Sequence, residues 1–158
     1  MVYDNNKNYR WSEFKLMITE GIECLKRSYD KELIITSVQL RYIDRVSPFI
    51  FDVNENKYDF LSKYLNVHTD KLSFIKEPLK HSQIIQQFEL EDNNLLNLII
   101  TSGVEKQTLE EIIEWHTSVH SKEMNWNHLD EWIDNAHRTC SEVFKKMISD
   151  ELYEYFRQ

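Results

Sequence analysis

Glycine and proline are scarce in this chain, with two of each among 158 residues. Usual usage is about 7% and 5%. Gly21 and Gly103 lie far apart. No glycine-rich loop can therefore wrap a phosphate, and few turns can require positive φ. Cysteine is equally sparse. Cys24 and Cys140 both fall on apolar faces of predicted helices, where buried reduced thiols are expected rather than a disulfide.

No apolar run approaches the ~20 residues that span a bilayer. The polar start MVYDNNKNYRW has no signal-peptide pattern. The expectation is a cytoplasmic protein with no membrane partner. Positive charge is short as well: 19 Lys and Arg against 27 Asp and Glu leave a net charge of -8. Phosphate contacts need a surplus of Lys and Arg, so nucleic acid is not the expected partner. The acidic balance suits solubility or a basic partner. Catalytic signatures are missing too: neither G-x-S-x-G nor a reactive-cysteine pattern occurs.

What is present points to one globular α+β domain over residues 1–158, with residues 1–9 a loose arm. The chain is 41% hydrophobic and 13% aromatic, which is enough for a real core. The longest amphipathic stretch is 126–156. Leu129, Trp132, Ile133, Ala136, Cys140, Val143, Phe144 and Met147 recur at steps of three and four, one face of a long helix. His137 sits at the edge of that stripe. Ser149 is placed to cap a short terminal helix, with Asp150 and Glu151 in its first turn. An earlier helix is expected from Ser12, with Phe14, Met17, Ile18, Gly21, Ile22, Leu25 and Tyr29 on its apolar side. Gly21 there suggests either close packing or a glycine of no structural consequence that costs the helix about 1 kcal/mol.

Between these helices the period changes to two. Residues 33–46 alternate as a β-branched strand, ended by Pro48. Residues 59–65 form a short helix. Residues 66–80 show no period, and Pro78 breaks them. Residues 81–90, 95–101 and 113–121 are three further strands. Asp92, Asn93 and Asn94 supply a turn that tolerates left-handed backbone. Residues 102–108 make the next connection. Short connections imply an antiparallel meander. The expected fold is an antiparallel four-stranded sheet with two long helices packed on one face, in the order α-β-α-β-β-β-α-α.

Each candidate for chemistry has a structural counterpart. His116 and His120 have the H-x-x-x-H spacing, but on a strand such residues stand roughly 13 Å apart. Thr117 also replaces the glutamate of HExxH, so no metal site is expected. His137 with Asp130 and Asp134 could form a proton-exchanging pair or a packing histidine with a helical ion pair. Arg41 and Arg45 share a strand face with Ile43, opposite Leu40 and Tyr42, as an anion clamp or a structural ion pair. The aromatics are not interleaved with Lys or Arg, and core packing accounts for them better than base stacking does.

Three fragments together resemble a sporadically distributed family of uncharacterised prokaryotic proteins. Tyr9 to Phe14 (YRWSEF) is similar to a Y-x-W-x-x-F opening. Leu40 to Val46 (LRYIDRV) resembles an L-R-Y-x-N-x-[IV] strand, with Asp44 where the family has Asn. Ile133 to His137 (IDNAH), with Phe144 and Ser149 to Leu152, resembles its C-terminal helix signature. The resemblance implies no activity, cofactor or catalytic residues. Family members carry a strand-rich portion ahead of the Y-x-W-x-x-F element. A chain that starts there would leave a sheet edge open to self-pairing or to a partner. Patchy distribution fits mobile or defence-associated genes.

Two functional expectations follow. The first is a non-enzymatic interaction protein, such as an antitoxin, immunity or defence accessory subunit, with a protein partner or as a homo-oligomer. The second is a small-ligand binder or enzyme with a pocket between sheet and helices. Arg41 would clamp an anion and His137 would exchange a proton, with Tyr42 and Asp44 as further polar groups. Neither expectation calls for a cofactor or a metal.

Overall fold

A computed structural model describes residues 9–29, 32–52, 57–68, 81–106 and 108–157. The chain forms two compact units, Met1–Ile34 and Ile35–Gln158. The first contains helix α1, Trp11–Ser28, which starts one residue before the expected cap at Ser12 and has Arg10 as its N-cap without a side-chain hydrogen bond. Within this unit Phe14 is the buried residue of the helix, with Tyr9 and Trp11 packed edge-on against it at ring centroid distances of 5.8 and 6.3 Å. Of the apolar stripe, Met17, Leu25 and Tyr29 are exposed, while Ile18 and Ile22 are half-buried. Gly21 and Cys24 are exposed as well. The close approach expected at Gly21 and the burial expected at Cys24 are thereby corrected. A helical period marks a face, but it does not supply a cover for it. Residues 1–8 of the expected arm lie outside the described residues.

The second unit is built on strands β1 Ile35–Val46, β2 Ser82–Glu89, β3 Leu95–Val104 and β4 Glu111–Met124. They form one antiparallel sheet in the order β1-β4-β3-β2. Adjacent strands β2, β3 and β4 make the expected meander, and β1 joins it beside β4. The β2–β3 connection is a 3-10 turn, Glu91–Asn93, with left-handed backbone at Asp92 (φ 55°) and Asn93 (φ 57°). Asp and Asn tolerate that region better than most residues. The expected connection from residue 102 is shorter than predicted. β3 continues through Gly103 to Val104, and the Glu105 amide donates to the Glu110 carbonyl at 2.9 Å.

Helices α2 Lys57–Tyr64, α3 Leu129–Met147 and α4 Asp150–Phe156 complete this unit. Parity defines the inner face of the sheet. Leu40, Val46, Leu96, Leu98, Ile100, Ile113, Trp115 and Val119 are all buried there. Helix α3 lies against β4 and β1 and buries Leu129, Trp132, Ile133, Ala136, Cys140 and Met147. Its last turn and α4 meet α2 in a cluster of Phe60, Tyr64, Leu65, Met147, Ile148 and Leu152. Trp115, with no exposed surface, stacks on Phe144 at 6.3 Å and meets Phe156 edge-on at 5.9 Å. Ser149 caps α4, accepting a bond from the Leu152 amide, while its own amide donates to the Tyr64 carbonyl at 2.8 Å. Of the stretch 66–80, residues 69–80 lie outside the described residues.

Candidate functional site

Strand parity decides where the four candidate side chains go. Val38, Leu40, Tyr42, Asp44 and Val46 alternate onto the inner face of β1. The register with β4 seats Tyr42 beside Thr117 and Asp44 beside Trp115. Above them runs α3, whose apolar stripe faces the sheet. His137 is one step off that stripe, and its Nδ1 lies 2.7 Å from the Tyr42 hydroxyl. The rings tilt at 47° with centroids 5.9 Å apart. If the phenol donates, the imidazole proton sits on Nε2; the other tautomer reverses the bond.

The surroundings are short of partners. Trp115 Nε1 and Thr117 Oγ1 are buried without a hydrogen bond among the described residues. Burial pushes the Asp44 carboxyl up to about 7 from its ordinary 3.8. Burial also lowers His137; Asp134 pulls against that and Lys145 adds to it. Cys140 Sγ points at the Thr117 carbonyl from 3.9 Å. Burial, with a smaller push from Asp44, raises this thiol to about 12, against an opposing backbone bond with Val119. A thiol so placed is a packing group and no nucleophile. The inner face thus holds a carboxyl raised to about 7 by burial at Asp44 and, bonded to the Tyr42 hydroxyl, an imidazole that burial shifts toward its neutral form.

Arg41 is not part of this patch. It sits on the outer face and donates to Gln39 Oε1 at 3.3 Å, so an anion clamp joining Arg41 to His137 is not assembled. Arg45 shares the outer face. Its guanidinium bonds Glu114 Oε2 from Nε at 3.0 Å and Nη2 at 2.8 Å, and it also bridges to Glu105. Burial works against the Glu114 carboxylate, but hydrogen bonds from Arg45 and His116 hold it below its ordinary range. His116 bonds Glu114 Oε1 at 2.8 Å. His116 and His120 occupy the outer face of β4, and no group of three potential metal ligands occurs among the described residues.

Two features escaped the sequence reading. One is a half-open cleft of about 500 Å³ between the first turns of α3 and the β2–β3 turn, bordered by Asp92, Asn94, His128, Glu131 and Trp132. Trp132 Nε1 donates to Asn94 Oδ1 at 2.7 Å and ties the turn to the helix. The helical stripe marked Trp132, but nothing local marked Asn94 as its partner.

The other feature is the edge strand β2. No strand among the described residues pairs with its outer side. Its sequence SQIIQQFE contains no Lys, Arg or Pro, and its pairing with β3 runs from Ser82 to Glu89 without a bulge. Ile85 and Phe88 are 65% and 46% exposed. Natural sheets usually guard such edges with charge, proline or bulges. β1, the other edge, carries Arg41, Asp44 and Arg45.

The fold is thus an α+β unit with an antiparallel sheet, covered by α3 on its inner face and unguarded along one edge. No protein-family model and no curated protein matches the sequence, and no solved structure matches the chain. No helix among the described residues is long and apolar enough to cross a membrane.

Proposed function

We propose that this is a non-enzymatic, cytoplasmic interaction protein, of the antitoxin, immunity or defence-accessory kind. It binds a protein strand along β2. The resemblance to the sporadic prokaryotic family belongs to the same reading. The observation that carries it is the unguarded edge. Alternate residues of the eight-residue strand present outward backbone donors and acceptors that no strand among the described residues pairs, and flanking apolar side chains can be covered by an added strand. The net charge of -8 favours a basic partner and steers its approach.

The test is co-purification of the tagged chain from its native host, compared with Ile85→Lys. Expected is a stoichiometric protein partner whose recovery falls at least tenfold in the variant, with the melting temperature kept. Recovery of the tagged chain with neither a foreign protein nor a second, untagged copy, or a partner indifferent to Ile85→Lys, would count against the reading.

A second reading, small-ligand binding or proton-transfer catalysis on the inner face, draws on the Tyr42–His137 contact and on Asp44 on the same face of β1. In this reading Arg41 plays no direct part. A ligand that stabilises the wild type but not His137→Ala would favour it.

A further inference from the structure

We propose that β2 pairs antiparallel with β2 of a second copy about a two-fold axis at Gln86, joining two four-stranded sheets into one of eight strands. This rests on the reading of β2 as the binding edge and names what binds it.

The strand is complementary to itself. With Gln86 on the axis, the antiparallel register sets Ile84 opposite Phe88 of the second copy on the inner face, and the reverse pair follows by symmetry. On the outer face Ile85 meets Gln87, and Gln83 meets Glu89. Opposed residues in such a ladder have Cβ atoms about 5 Å apart, so these are contact pairs. Phe88 is 46% exposed and gains cover from Ile84. Gln86 is exposed, and at the axis its amide can bond the same amide of the other copy.

Charge decides between self-pairing and repulsion. Two chains of net charge -8 repel one another unless they meet where charge is sparse. β2 is such a place: Glu89 is its sole ionisable residue. In this register Glu89 faces Gln83 and not the other Glu89, so no like charges stand opposed. The two-fold also closes the assembly. Once both β2 edges are used, the remaining edges are the two β1 strands, which carry the outer-face Arg41 and Arg45. Growth into a filament is thereby blocked.

The test uses the full chain, with mass measured by light scattering and native mass spectrometry over a range of concentrations. Expected is a species of twice the 19.2 kDa monomer mass that dissociates on dilution. Gln86→Lys sets two ammonium groups against each other on the axis, and Gln86→Glu sets two carboxylates. Each alone should weaken the dimer at least tenfold. Because Gln86 is exposed, both variants should fold. Mixing the two should restore a heterodimer, since opposite charges then meet.

A wild-type chain that stays monomeric at the highest soluble concentration overturns self-pairing. So does a dimer that neither variant weakens, or one that mixing fails to restore. Any of these results leaves the broader interaction reading intact if the native-host co-purification still recovers a foreign partner sensitive to Ile85→Lys.

Discussion

Replacing Asp44 by Asn tests the electrostatics of the inner face most directly. Asp44 lies on the inner face of the sheet, and burial raises its carboxyl to about 7 from 3.8. The folded-state value is raised. Between those two pH values the native protein holds a proton that the unfolded chain has released, so stability falls as pH rises through that window and levels off above about 7. The two values lie roughly three pH units apart, and each unit is worth about 1.4 kcal/mol. The ceiling on the loss is therefore about 4 kcal/mol. Partial solvent access to the residue reduces it, and about 2–4 kcal/mol is the expected range.

Asn has nearly the same shape and never ionises. Asp44→Asn should thus match the wild type near pH 4 and exceed its stability by about 2–4 kcal/mol near pH 8. The assay is urea denaturation of both proteins across that range, compared as a difference. His137 has the opposite sign. Its folded-state value is lowered, so its contribution is lost as pH falls below its ordinary 6.5. That term is common to both proteins and cancels in the difference. Parallel pH profiles for the two proteins, or a variant less stable than the wild type near pH 8, would refute the assignment of Asp44 as a carboxyl raised by burial.

Two further outcomes follow from the same region. Tyr42→Phe removes the 2.7 Å bond to His137 and should cost about 1 kcal/mol by chemical denaturation. With Cys24 exposed and Cys140 buried, a maleimide or disulfide reagent should label one thiol at once. The second thiol should react only at the rate of unfolding, as read by mass spectrometry on native and denatured protein.

Much of the architecture was legible because it rests on period and turn chemistry. Alternation in 33–46, 81–90, 95–101 and 113–121 marked all four strands of the sheet. Left-handed backbone fell on Asp92 and Asn93, within the predicted turn. The stripe from Leu129 to Met147 marked the face that α3 buries, and Ser149 marked the cap of α4. Parity alone also separated Arg41 and Arg45 from Tyr42. The same parity places Asp44 beside Tyr42 on the inner face, a signal the grouping of Arg41 with Asp44 overlooked.

Sequence periodicity by itself determined which side chains share a face, because that follows from backbone geometry within one element. Tertiary structure decided what each face meets. The stripe of α1 and that of α3 look alike in sequence, yet Met17 and Leu25 are exposed while Trp132 and Ala136 are buried. Tyr42 and His137 are 95 residues apart, and only the seating of α3 across β4 and β1 brings them into contact. That β2 is an edge depends on β1 joining the sheet at β4, a choice made by non-local pairing. The local pattern of SQIIQQFE is compatible with a covered strand as well as an open one. Its position at the end of the order β1-β4-β3-β2 turns its sparse charge into an opportunity for binding.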